Sequence, residues 1–153
     1  MRKPQTAKYA NIESLRAYDA KDFPFVDVRC PELEASDGED SSDEKVAEEC
    51  WFRLRSMTLG DRERIEQDLI VMGALEKGSD EYARMNGDLF PRVITMCMCD
   101  ENGDLLLDES AIPWLKDKPA AMVIRLAKAG LKIAGLEQDA EEEIEREAGE
   151  SDG

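Results

Sequence analysis

The chain predicts a single α+β domain, predominantly helical, in which a small N-terminal β-hairpin leads into a helical bundle and ends in an acidic tail. Three observations predict it. Two short segments, residues 25–30 and 50–55, alternate apolar and charged side chains with the period of a half-buried strand. Two longer segments, 59–75 and 119–134, carry apolar residues at helical spacing. The acids, which give a formal charge of -16, are concentrated outside both patterns. With 153 residues and 42% hydrophobic content the chain has material for one ordinary core. The expected organisation is a flexible N-terminus at 1–10, one globular domain at 11–136 with an acidic loop at 34–46 inserted in it, and a disordered or nascently helical tail at 137–153.

Taken in order, Asn11 is placed to cap a short helix running through Tyr18, with Ile12 and Leu15 on one face. Phe25-Val26-Asp27-Val28-Arg29-Cys30 reads as a strand, which Pro31 ends. The following stretch is rich in Ser, Asp, Gly and Glu and buries too little apolar area to offset its ordering entropy, so a mobile loop is expected. Cys50-Trp51-Phe52-Arg53-Leu54-Arg55 resumes the alternation, with Phe52 and Leu54 on one face and Arg53 and Arg55 on the other. The two strands pair antiparallel across the acidic loop.

Thr58, followed three residues later by Asp61, opens a helix in the manner of a capping box. Ile65, Leu69, Met72 and Leu75 then form one apolar stripe. Lys77-Gly78-Ser79-Asp80 stops that helix, and 81–87 adds a short helical turn. Residues 90–99 lack a clear period and mix β-branched Val93, Ile94 and Thr95 with Met96 and Met98. Asn102-Gly103 between apolar runs is a hairpin signal that pairs 94–99 with 105–107, whereas a helix running into the same turn satisfies the residues equally. Ser110 is expected to cap a short helix at 111–116 anchored by Trp114. The last helix spans 119–134, with Pro119 just inside its start, Gly135 just past its end, and Val123, Leu126, Gly130 and Ile133 along one face.

Charge placement narrows the partners. Residues 32–49 hold nine acids against Lys45, residues 137–153 hold nine against Arg146, and the rest of the chain is balanced. A nucleic-acid surface needs a basic footprint that is absent here, so no nucleic acid is expected as a direct partner. An acidic DNA mimic is the sharper reading of the same charge, yet the acids cluster in runs instead of spacing themselves along one structured face. No stretch approaches the roughly 20 apolar residues of a membrane span, so no membrane contact is expected. Four cysteines without a signal peptide point to reduced thiols in a cytoplasm.

Chemistry-bearing patterns are weak. Cys97-x-Cys99 lacks the four-ligand spacing of structural zinc sites, and the chain holds no His, which removes the commonest general base and the His-activated nucleophiles. Asp100-x-Asn102-x-Asp104 imitates the start of a calcium loop but has Leu105 and Ala111 where Gly and Glu are required. Pairs such as Asp108 and Glu109 read as solvated surface. No Gly-rich phosphate loop is present. Neither an enzyme nor any cofactor or metal is expected.

Three pieces occur in a telling order: Arg53-Leu54-Arg55-Ser56-Met57-Thr58-Leu59-Gly60-Asp61-Arg62-Glu63-Arg64, then Asp100-Glu101-Asn102-Gly103, then the apolar helix of 120–136. This order of an extended segment, a capped helix start, a helix ending in an Asp-x-x-Gly turn and a final amphipathic helix resembles the tail assembly chaperones of long-tailed, siphovirus-like bacteriophages. The likeness covers roughly two thirds of the chain. It implies that 90–99 is helix leading into the turn. It implies a small protein that binds the long, helical tape measure protein and other tail proteins, keeps the tape measure soluble in the host cytoplasm, and is absent from the mature virion. A homo-oligomer fits the same picture. The expected partner-binding residues are Trp114, Met122, Val123, Leu126 and Ile133. The alternative is an acidic DNA mimic or adaptor that binds a basic host protein.

Overall fold

Period-two alternation at both N-terminal segments produces the sheet. In a computed structural model of the chain, which describes residues 9, 11–34 and 48–136, β1 (Phe25–Arg29) pairs antiparallel with β2 (Trp51–Arg55), placing Val26 opposite Leu54 and Val28 opposite Phe52. The short β3 (Met98–Cys99) joins the other side of β2, so the strand order is β1-β2-β3. Leu54 is fully buried on the inner face. On the outer face Arg53 pairs with Asp27 at 3.0 Å and lies over the Phe25 ring at 3.8 Å. Arg55 shares that face yet is buried beneath neighbouring loops: its guanidinium donates to the Gly103 carbonyl at 3.0 Å. The expected N-terminus, most of the acidic loop and the tail lie outside the described residues.

Helix ends follow local chemistry. Asn11 accepts from the Ser14 N–H at 2.8 Å and opens α1 (Ile12–Ala17). Ile12 and Leu15 nonetheless remain exposed, so α1 contributes no side chain to the core. Pro31 does more than stop β1, since it begins the one-turn α2 (Pro31–Glu34), a position where its missing N–H costs nothing. Thr58 accepts from the Asp61 N–H at 3.1 Å and starts α3 (Leu59–Ala74). Of the expected stripe, Ile65 and Met72 are buried while Leu69 is 45% exposed, because α3 rests on a single neighbouring helix and needs only a narrow seam.

That neighbour is α4 (Asp80–Cys97), capped by Ser79. It corrects the expectation of a short turn at 81–87 followed by a separate segment. The helix continues through Pro91, which removes one backbone donor and is itself buried. Both readings of 90–99 hold a part of what is observed. The chain is helical to Cys97, then Met98–Cys99 pairs with β2 and Cys99 bridges Leu105 across the turn. In the turn, Asp100 Oδ1 accepts from the N–H groups of Asn102 and Asp104 at 2.8 and 3.0 Å. Gly103 has φ +84°, and a Cβ there would lie 2.3 Å from the Ala20 carbonyl oxygen, so only glycine fits.

Asp108, not Ser110, caps the next segment: it accepts from the Ser110 N–H at 2.9 Å and opens a 3-10 turn (Glu109–Ala111) that continues into α5 (Ile112–Leu115). Trp114 is not the anchor. In so short a helix the positions three apart face inward, and these are Ile112 and Leu115, both buried; Trp114 points away and is 45% exposed. The final α6 (Ala120–Ile133) has Pro119 at its N-cap, one position earlier than expected, and Gly135 with φ +79° beyond its end. It buries Met122, Val123, Leu126, Ala127 and Gly130. Helix α6 packs against α4 and under β1 and β2, and α3 lies on α4. Leu54, Ile65, Val93, Ile94, Cys97, Leu126 and Ala127 meet in one core. Among the described residues no helix is long and apolar enough to cross a membrane.

Candidate partner-binding groove

The same packing leaves a groove. Between helix α4 and the α5–α6 corner lies a cleft of about 370 Å³ lined by Leu89, Phe90 and Pro91 from α4, Leu115 from α5, and Val123 and Ile124 from α6. Asn86, Gly87, Lys116, Lys118 and Ala120 complete its rim. Its size lies in the range of ordinary binding clefts. The four residues Lys116 to Pro119 turn the chain from α5 into α6, and Lys116 reaches across Gly87 to pair with Asp88 at 2.9 Å, which fixes the corner against α4. Ile124, in the lining, is 38% exposed, and the rim residue Lys118 places its ammonium 5.9 Å from the ring of the exposed Trp114 on α5.

The structure divides the five expected contact residues. Met122, Val123 and Leu126 are buried in the chain's own core, and Ile133 is half-buried at the far end of α6. Met122, Val123 and Leu126 thus do not form one exposed surface with Trp114, because α6 turns its apolar stripe inward against α4 and the sheet. Trp114 is accessible, and Val123 forms part of the groove floor. Sequence reasoning missed Leu89, Phe90, Leu115 and Ile124. Adjacent Leu89-Phe90 before a helical Pro91 was the available signal, obscured by the expectation of a break between 87 and 90.

The groove's walls are apolar, and its charged rim groups are two lysines, one of them paired with Asp88. Elsewhere, among the described residues, no group of three or more His, Cys, Asp or Glu is arranged to hold a metal ion. Cys97 and Cys99 are both buried, and burial pushes the Cys97 thiol up to about 12. The Asp100 carboxylate is occupied by the turn's own N–H groups. Asp108 is held below the usual carboxylate range first by the Ser110 side-chain hydrogen bond and then by the Ser110 N–H, which is a capping role.

Comparison with protein-family models, with curated proteins and with solved structures finds no match to this chain.

Proposed function

We propose that the protein is a phage tail assembly chaperone whose α4–α6 groove receives an apolar stripe of the long, helical tape measure protein. The observation that carries this reading is the groove: a largely apolar cleft with Ile124 half-exposed in its lining, and Trp114 exposed on α5 near the rim residue Lys118. An amphipathic helix laid into such a groove inserts side chains at helical spacing and hides them from water. Aromatic residues and adaptable apolar walls are the usual anchors of such contacts. The reading is further supported by the order of elements: β2, the Thr58-capped α3, the turn at Asp100 and the amphipathic α6 follow one another as they do in the family that the sequence resembles.

A long chain with apolar stripes self-associates, and a small partner that covers them while adding the acidic runs of 137–153 and 32–49 keeps the complex soluble. Catalysis plays no part in this role, and host-cytoplasmic action before tail completion follows from it. The test is co-expression with the product of the longest helical reading frame downstream of the gene, followed by size-exclusion chromatography with light scattering. A soluble complex holding several copies of this chain per long partner is expected. A monomer beside an aggregated, unbound partner would overturn the reading and favour an acidic mimic or adaptor for a basic protein.

A further inference from the structure

At the end of the sheet where β1 and β2 enter the acidic segment, two cysteines stand in register. Arg29 and Trp51 are the last residues paired between the strands, and the ladder extends one rung beyond them, with the Cys30 N–H donating to the Cys50 carbonyl at 2.7 Å. Cys30 and Cys50 are therefore directly opposite. Two residues back, Val28 and Phe52 pack against the core, so the period of two puts both thiols on that same inner face. Cys30 is fully buried and Cys50 is half-buried.

Hydrogen-bonded antiparallel partners have Cα atoms about 5.5 Å apart and Cβ atoms about 4.5–5.5 Å apart. A disulfide spans Cα distances of about 4.4–6.8 Å and Cβ distances of about 3.5–4.5 Å. The required approach is about 1 Å. The rung at this point is single, because the Cys30 carbonyl accepts from the Leu33 N–H at 3.1 Å, and Cys50 precedes the regular part of β2. A small backbone adjustment there breaks no paired strand.

We propose that Cys30 and Cys50 form a reversible disulfide that closes the acidic segment between them into a covalent loop, with a low-molecular-weight disulfide such as oxidised glutathione as the oxidant. The more exposed Cys50 reacts first. Its thiolate attacks one glutathione sulfur, the glutathione S–S bond breaks, and one glutathione thiolate leaves. Cys30 then gives up its proton, its sulfur attacks Cys50 Sγ, and the second glutathione thiolate leaves. The two cysteine protons end on two glutathione thiols, the protein is oxidised by two electrons, and reduced glutathione runs the sequence backwards.

The surroundings suit the second step. Burial raises the Cys30 thiol above its usual range, chiefly by desolvation, and Glu32 adds to this, but the positive charge of the Arg125 guanidinium favours its thiolate. Arg125 is itself held by Glu32 at 2.8 Å. Cys97 and Cys99 lie on α4 and β3, and the Cys97 thiol, pushed up to about 12, is not a competing nucleophile near neutral pH.

The experiment treats the folded full-length chain with oxidised glutathione, quenches with acid, alkylates after denaturation, and maps peptides by mass spectrometry without reduction. A peptide linking Cys30 to Cys50, lighter by two hydrogens, with Cys97 and Cys99 alkylated, is expected. Cys50→Ser should abolish the link, Cys97→Ser should keep it, and Arg125→Gln should slow it. The linked form should also unfold several degrees higher, since the bond shortens the unfolded chain's reach. A lasting glutathione adduct on Cys50 without the link, a link through Cys97 or Cys99, or four unmodified thiols would each overturn the proposal.

Discussion

Leu126 shows how burial decides a residue's role. It is 2% exposed and packed between α4 and the sheet, so its truncation leaves a cavity in the core and not a gap in a contact surface. Leu126→Ala should lower unfolding stability by about 2–5 kcal/mol in urea titrations, while the folded fraction retains its partner affinity. Cys97 gives a second prediction at this scale. Its folded thiol titrates at about 12, above the usual thiol range, so the stability gained by keeping it neutral is complete below pH 8 and is lost as pH rises from about 9 to 12. Wild-type protein should therefore lose stability across that window more steeply than Cys97→Ala, measured as the thermal midpoint at each pH; parallel curves would show that the thiol does not titrate in the unfolded chain alone.

Elements were legible where local chemistry sets them. The β1–β2 register follows from Val26, Val28, Phe52 and Leu54, whose alternation has only one inward-facing solution. The caps Asn11 and Thr58 and the stop at Gly135 are likewise local. Helix α4 was hidden because 81–87 reads as a separate short turn and 90–99 has no clear period, and tertiary burial of Val93 and Ile94 is what carries the helix through Pro91 and its missing backbone bond. The groove was hidden for the same reason: Phe90 and Ile124 lie on different helices, and nothing in either segment states that they will face each other. At Gly130 the two helices touch, since a Cβ there would meet Cys97 Sγ and Val93 Cγ1 at 3.1 Å. Gly130→Leu should force α4 and α6 apart and cost about 1–3 kcal/mol in denaturant midpoint, or more if the helices cannot separate. The Glu32–Arg125 pair joins α2 to α6, and the Arg125 hydrogen bond holds the Glu32 carboxyl below its usual range. A lowered carboxylate stabilises above its ordinary titration range and ceases to do so as pH falls through its folded value. Glu32→Gln should therefore lower stability modestly at neutral pH, where the part-exposed pair is intact, and converge with the wild type as pH falls below about 4.5, which flattens part of the acid limb.

Along the chain, the C-terminal acidic run and the residues that line the groove are separate. Residues 137–153 carry nine of the 36 acids, whereas the groove lies among residues 86–124. If apolar contacts carry the affinity, deleting 137–153 should leave partner binding nearly intact and insensitive to salt, though the complex should precipitate sooner. Loss of most of the affinity on that deletion, or its collapse in high salt, would instead mark an adaptor that works through its acidic tail. The groove also has a rival on the surface, because α3 exposes Leu69 and Ile70 on its outer side. The most direct measurement is the affinity of the long helical partner for Ile124→Asp and for Ile70→Asp, each compared with the wild type by calorimetry after circular dichroism has established that both fold. Binding through the groove requires that Ile124→Asp lose at least about tenfold in affinity, the worth of one anchor side chain, while Ile70→Asp binds as the wild type does. Unchanged binding by Ile124→Asp, or loss only in Ile70→Asp, would contradict it and move the interface to α3.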